Sequence, residues 1–131
     1  MLLGAGYDTR AYRFATALAG RPVFEVDFPA TSARKARILA RHAADLPKAD
    51  VRRVEIAFQT ESLEERLLAS GFQKGSTTFF VWEGVSMYLT REAVKATLAA
   101  MVALGGAGSE LAMDFWQLVD APDLLSSAYR A

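Results

Sequence analysis

The sequence predicts an α/β fold built on a mostly parallel sheet of about five strands. Short apolar runs that end in glycine, aspartate or proline alternate with longer stretches of helical period, which is the pattern of βαβ units. Gly4 and Gly6 close the first apolar run, where a strand turning sharply into a helix needs residues without Cβ. Hydrophobic residues make up 52% and charged residues 23% of 131 positions, a composition that suits one compact core. No repeat of solenoid period, low-complexity tract or dividing linker interrupts it, so residues 1–131 are read as one unit.

Each element follows from local signals. Leu2 and Leu3 form a short first strand, and Thr9 to Leu18 carries Ala11, Phe14, Ala15 and Leu18 at the spacing of a helix. Val23 to Asp27 is the second strand. Pro29 to Ala44 is the next helix, its proline suited to a first turn where the missing donor costs nothing. Val51 to Phe58 alternates as a strand, and Ser62 to Ser70 is helical with Gly71 as its stop. Thr77 to Trp82, rich in Thr, Phe and Val, is the fourth strand. Thr90 caps a helix running to Leu104, with Glu92 in its first turn and Gly105 and Gly106 at its end. Ser109 to Phe115 is the fifth strand, and Trp116 to Ala131 reads as a linker with a further helical turn or two.

Composition narrows the function. Fifteen basic residues balance fifteen acidic ones, so overall charge recruits neither nucleic acid nor an acidic membrane surface. With no cysteine there is no disulfide framework, thiolate metal site or cysteine nucleophile. The N-terminus lacks the pattern of a signal peptide, and no apolar run approaches the roughly 18 residues of a membrane span, so a cytoplasmic protein is expected. The only histidine, His42, lies late in a helix, where a helix-end cation is the simpler reading. No Ser-His-Asp set or metal-ligand cluster can be assembled, and no catalytic residue or metal ligand is named.

The chemistry is concentrated where the first two strands end. Twenty-one positions after Gly6, Asp27 closes the second strand in the run FEVDFP, where a carboxylate can accept the ribose hydroxyls of an adenosine. A dinucleotide fingerprint would place a third small residue where Thr9 stands, and Asp8 before it would repel a pyrophosphate. S-adenosylmethionine carries an adenosine, a sulfonium and an ammonium but no phosphate, and it is the cofactor these residues favour. A nicotinamide-dependent enzyme is the weaker fit.

Three segments, LGAGYDTRAYR, FEVDFP and FVWEGVSMYLT, resemble in order and separation the leucine carboxyl methyltransferase-like family of class I S-adenosylmethionine-dependent methyltransferases. The resemblance runs from about Met1 to Phe115. It implies a Rossmann-like core with strand order 3-2-1-4-5 and methyl transfer to oxygen, on a carboxyl or small-molecule acceptor. It also implies a cofactor held by the glycine loop (Gly4 and Gly6), the ribose acid (Asp27), a pair after the third strand (Ala57 and Phe58) and a glutamate after the fourth (Glu83). The family's adenine acceptor, an aspartate, is replaced here by Ala57. Glu55 or Glu61 is a substitute, the backbone of residues 57 and 58 stays open to the adenine edge, and Phe58 packs on the ring. Family members also carry an N-terminal helical region and a substrate cap with further strands. This chain is therefore expected to be truncated at both ends, either part of an O-methyltransferase or a non-catalytic remnant that binds the cofactor weakly or serves as an interaction module. An unpaired fifth strand bearing Leu111, Met113 and Phe115 should promote self-association.

Arg34, Arg37 and Arg41 recur at helical spacing as a solvated face does. Trp82, Met87 and Tyr88 are read as core before pocket.

Overall fold

A computed structural model of the chain describes residues 1–115, and the expected linker and last turn over 116–131 lie outside them. Five strands form one parallel sheet in the order β3-β2-β1-β4-β5: β1 Leu2–Leu3, β2 Val23–Asp27, β3 Val51–Glu55, β4 Phe79–Trp82 and β5 Glu110–Met113. The expected order is therefore present. Two short helices, α1 Arg10–Arg13 and α2 Ala15–Leu18, join β1 to β2, and α3 Pro29–Arg41 joins β2 to β3. Helix α4 Leu63–Ala69 joins β3 to β4, and α5 Arg91–Leu104 joins β4 to β5. Since right-handed crossovers leave β1 in opposite directions, the first set covers one face of the sheet and the second set the other.

Strand alternation explains the two cores. Phe24 and Val26 of β2 turn to the face where Leu3, Val54, Phe80 and Trp82 meet Leu63 and Leu67 of α4 and Met101 and Leu104 of α5. Val23 turns to the other face, with Leu2, Val81, Ala11 and Tyr12. Trp82 is fully buried, as the reading of it as core requires, whereas Met87 and Tyr88 are exposed.

Several boundaries differ from those read in the sequence, each for a local reason. The helix expected over Thr9 to Leu18 breaks at Phe14, because burial falls on the consecutive residues Ala11 and Tyr12, and Phe14 points to solvent. Helix α3 stops at His42 rather than Ala44. Strand β3 ends at Glu55, where a turn begins in which the Ala57 carbonyl accepts from Thr60 and Glu61 N–H, both at 3.0 Å. Strand β4 starts at Phe79, since the hydroxyls of Thr77 and Thr78 bond the carbonyls of Ala107 and Ser76. The caps at Thr90 and Ser62 are formed, each side chain accepting from the third residue of its helix, Ala93 and Glu65.

One feature of the core was not legible. Glu25, mid-strand on β2, pairs with Lys35 of α3 at 2.8 Å with both side chains nearly sealed from solvent, and Arg53 Nε stands 3.8 Å from the same carboxylate. The arginine also donates to the Tyr12 hydroxyl at 2.8 Å, and burial raises the Tyr12 phenol above its ordinary value, opposed by the arginine charge.

Candidate functional site

Four of the six candidate residues come together at the carboxyl ends of β1, β2 and β4, the edge at which open α/β sheets bind ligands. The loop after β1 is held by backbone bonds from Gly4 and Ala5 N–H to the Val26 carbonyl, at 2.7 and 3.1 Å. Gly4 has φ +66°, and a Cβ there would collide with Cγ2 of Val85, in the loop after β4. Glycine at this position thus satisfies both the backbone and the close approach of the two loops. Gly6, with φ +44°, donates its N–H to Oδ2 of Asp27, and Oδ1 of Asp27 accepts from Phe28 N–H at 2.6 Å. The acid at the end of β2 therefore ties down the glycine loop. A carboxylate offers about four lone-pair directions, so acceptor capacity remains for two further donors.

The loop caps its own helix through Asp8. Its Oδ1 accepts the Arg10 N–H at 2.7 Å, while its Oδ2 accepts from Arg10 Nε at 2.6 Å. Thr9, formally the N-cap, makes no such side-chain bond. Arg10 then extends across the end of the sheet, and its Nη2 donates to Oε2 of Glu83 at 2.6 Å. The next residue, Gly84, donates to both carboxylate oxygens of Asp114, beyond β5, each at 2.9 Å. Arg10 and Asp114 were missed because nothing in the spacing of 73 or 30 residues announces these contacts.

Ala57 and Phe58 reach the same edge by a different route. Ile56 N–H donates to the Asp27 carbonyl at 2.9 Å, which seats the turn after β3 beside the ribose-acid position. The expectation of an open backbone at residue 57 is corrected here. Ala57 N–H is taken by Glu61 Oε2 at 2.7 Å, and its carbonyl is taken by the turn. Of the two carboxylates expected as substitutes, Glu61 is the one beside it, since β3 and its alternation end at Glu55. Arg66 chiefly, and the Ala57 N–H after it, hold the Glu61 carboxyl below its ordinary value. Phe58 is half-buried and packs against the core.

Exposed Tyr7, Phe28, Met87 and Tyr88 rise from the loops at this end. A recess of about 910 Å³ instead opens at the amino ends of the strands, beside Met1, Phe72 and Phe79, and one of about 340 Å³ lies by β3. Neither contains any of the six candidate residues. Among the described residues, no group of three or more His, Cys, Asp or Glu is arranged to hold a metal ion, and no helix is long and apolar enough to cross a membrane. Arg34, Arg37 and Arg41 are exposed, and His42 faces solvent 4.0 Å from Asp45.

The donor set tests the ligand. Asp8, Asp27 and Glu83 place three carboxylates along the loops, with Arg10 as the guanidinium among them. Such an edge repels a pyrophosphate and suits an adenosine that bears a cationic or zwitterionic tail.

The profile of the leucine carboxyl methyltransferase family matches residues 1–102. A protein of Mycobacterium avium (strain 104), named "Putative S-adenosyl-L-methionine-dependent methyltransferase", is 40% identical over 111 residues, covering 85% of this chain and 34% of that one. One of the same name from Mycobacterium marinum is 39% identical over 114 residues, or 87% and 36% of the two chains. Another, from Mycobacterium ulcerans, is 37% identical over the same length, again 87% and 36%. The chain spans about a third of the length of these curated relatives.

Proposed function

We propose that this chain, which belongs to the leucine carboxyl methyltransferase family, binds S-adenosylmethionine at the carboxyl end of its sheet and forms the cofactor-binding part of an O-methyltransferase. The observation that carries the reading is the bond from Gly6 N–H to Asp27. It fixes a carboxylate with spare acceptor capacity beside a glycine turn, as an adenosine ribose requires. Gly4 and Gly6 let the backbone approach the ligand, Asp27 takes the ribose hydroxyls, and Glu83 faces the amino-acid end. Ala57 and Phe58 border the adenine, with Phe58 more a wall of the core than a free stacking partner.

The cofactor supplies an electrophilic methyl group. Transfer to an ionised carboxylate needs no general base, so the protein's task is to align the two reactants and exclude water. We name no catalytic residue for this step. A carboxyl or small-molecule acceptor is the class proposed, in a cytoplasmic setting. The second reading, a weakly binding non-catalytic module, draws on Ala57 standing where the family carries its adenine acceptor.

Calorimetry with S-adenosylmethionine, S-adenosylhomocysteine and NAD tests the binding. The adenosyl sulfur ligands should bind and NAD should not. Asp27→Ala should weaken binding at least about tenfold, since charge-assisted bonds contribute roughly 1.5–3 kcal/mol each. An unchanged dissociation constant would remove the assignment. Methyl transfer to a panel of carboxylic acids separates the enzyme from the binding module.

Strand β5 pairs only with β4 among the described strands and carries exposed Leu111. Self-association through this edge is proposed, with light scattering at micromolar concentration as its measure.

A further inference from the structure

Strand β3 lies at the outer margin of the sheet, with β2 on one side and no described strand on the other. Its ladder to β2 fixes which backbone groups face outward. The Asp50 carbonyl accepts from Val23 N–H at 2.8 Å, and Ile56 N–H donates to the Asp27 carbonyl at 2.9 Å, so the even-numbered residues point their backbone groups at β2. Those of Val51, Arg53 and Glu55 point to the open edge, because the direction alternates along a strand. The recess of about 340 Å³ runs along this edge, between Ser32, Ala33 and Ala36 of α3 and Ala69 and Ser70 at the end of α4. Small side chains on both walls leave room for another strand.

Charge selects that strand. Charged residues on an edge commonly keep neighbours off it, but β3 carries both signs on one face. Arg53 stands on the side of Glu25 and Tyr12, and Glu55, two residues on, shares that side. The two arginines of the recess are engaged elsewhere, Arg53 with Tyr12 and Glu25 and Arg66 with Glu61, which leaves Glu55 exposed and without an ion pair among the described residues. Arg53 keeps donors to spare, since a guanidinium carries five.

A second copy of β3, turned about a two-fold axis normal to the sheet, runs antiparallel to the first and keeps each face continuous. With residue 53 opposite itself, two arginines meet. With residue 54 opposite itself, Arg53 of each copy faces the partner's Glu55, and these residues, whose backbone groups all point outward, exchange both hydrogen bonds of a ladder pair. The helices permit it. Helix α3 lies over β2 and β3 alike, so strands paired at the usual spacing bring the two α3 helices to about 10 Å, a normal packing distance, with the small residues of the recess between them.

We propose that β3 is a dimerisation strand, which joins two copies of this chain edge to edge with Val54 opposite the partner's Val54 and Arg53 opposite the partner's Glu55. This contact is separate from the one at β5, and its two-fold symmetry closes it at two copies.

Sedimentation velocity on the full chain and its variants is the test. Leu111→Lys, which charges the β5 edge, should leave a dimer at micromolar concentration. Adding Glu55→Arg sets arginine against arginine in both pairs and should weaken that dimer at least about tenfold, with Glu55→Gln in between. The chain has no cysteine, so single cysteines report the register. Under mild oxidation Val54→Cys should cross-link to its copy, whereas the more exposed Arg52→Cys should not. A monomeric Leu111→Lys chain, or a dissociation constant unchanged by Glu55→Arg, overturns the proposal and leaves association to β5. Cross-linking of Arg52→Cys in place of Val54→Cys overturns the register and with it the pairing of Arg53 and Glu55. Should circular dichroism show that Glu55→Arg does not fold, Glu55→Gln and the cysteine pair still decide the matter.

Discussion

Asp27 and Gly6, 21 residues apart, are joined by a hydrogen bond from the Gly6 N–H to the Asp27 carboxylate, so the acid proposed to hold the ribose also shapes the loop proposed to hold the rest of the cofactor. The second carboxylate oxygen accepts from Phe28 N–H at 2.6 Å, and both oxygens therefore have structural duties before any ligand arrives.

Asp27→Asn should expose that double role. Asparagine keeps one oxygen and replaces the other with an NH2, which would face either the Gly6 or the Phe28 N–H donor to donor. Leaving one of these donors unsatisfied in a partly buried setting should destabilise the chain by about 1–3 kcal/mol, measured by denaturant unfolding without ligand. An unchanged stability would mean that the carboxylate serves the ligand alone.

The parts of the fold legible in the sequence are those set by local signals. Strand order followed from the resemblance and is present, and Thr90 and Ser62 cap their helices as read. Gly4, Gly6, Asp27 and Glu83 were legible because strand ends in this topology converge on one edge. Arg10, by contrast, has no periodicity that points to Glu83, and its partner is fixed only when β1 and β4 become neighbours. Glu25 and Lys35 were hidden for a related reason. A charged residue inside an apolar strand reads as an outward position until a helix with a lysine at the matching turn covers it. At residue 57 the sequence left Glu55 and Glu61 both open, because alternation holds only to the end of the strand at Glu55, and the turn that follows brings Glu61 to the residue 57 N–H.

Breaking the buried pair from one side should be far more costly than replacing it. Lys35→Met leaves the Glu25 carboxylate sealed in the core with only Arg53 at 3.8 Å, and a loss of about 3–5 kcal/mol is expected. Glu25→Leu combined with Lys35→Met should recover most of that loss, because no uncompensated charge remains. Urea unfolding of the single and double variants checks the cycle, and equal losses in both would show that the pair's partners matter less than the shape they fill.

Tyr12 gives stability an alkaline limit. Burial raises its phenol in the folded chain, with Arg53 opposing and Glu25 adding to the rise. As pH passes about 10, an unfolded phenol releases its proton while the folded one retains it, so the native state binds more protons. The contribution to unfolding free energy then falls with rising pH from about 10 up to the folded value and is flat below that range. Tyr12→Phe should flatten this part of the profile, and ultraviolet absorbance near the phenolate band should show one late-titrating tyrosine lost in the variant.

Ala57 offers a gain rather than a loss, and the gain tests where the turn after β3 lies relative to adenine. If that turn borders the ring, Ala57→Asp supplies an acceptor for the exocyclic amine, and one hydrogen bond of roughly 1 kcal/mol should tighten S-adenosylhomocysteine about fivefold. Glu61 complicates the expectation, because its carboxylate accepts the residue 57 N–H at 2.7 Å and is held ionised by Arg66, so two carboxylates would stand close together. Glu61→Gln removes that repulsion while keeping an oxygen for the N–H, and the Ala57→Asp gain should therefore be larger in the Glu61→Gln background. An analogue whose adenine carries oxygen in place of the amine should gain nothing in either background, which separates a specific bond from attraction between an added negative charge and the ligand's ammonium. Equal tightening of both ligands would assign the effect to charge, and no tightening in the Glu61→Gln background would place adenine away from residue 57.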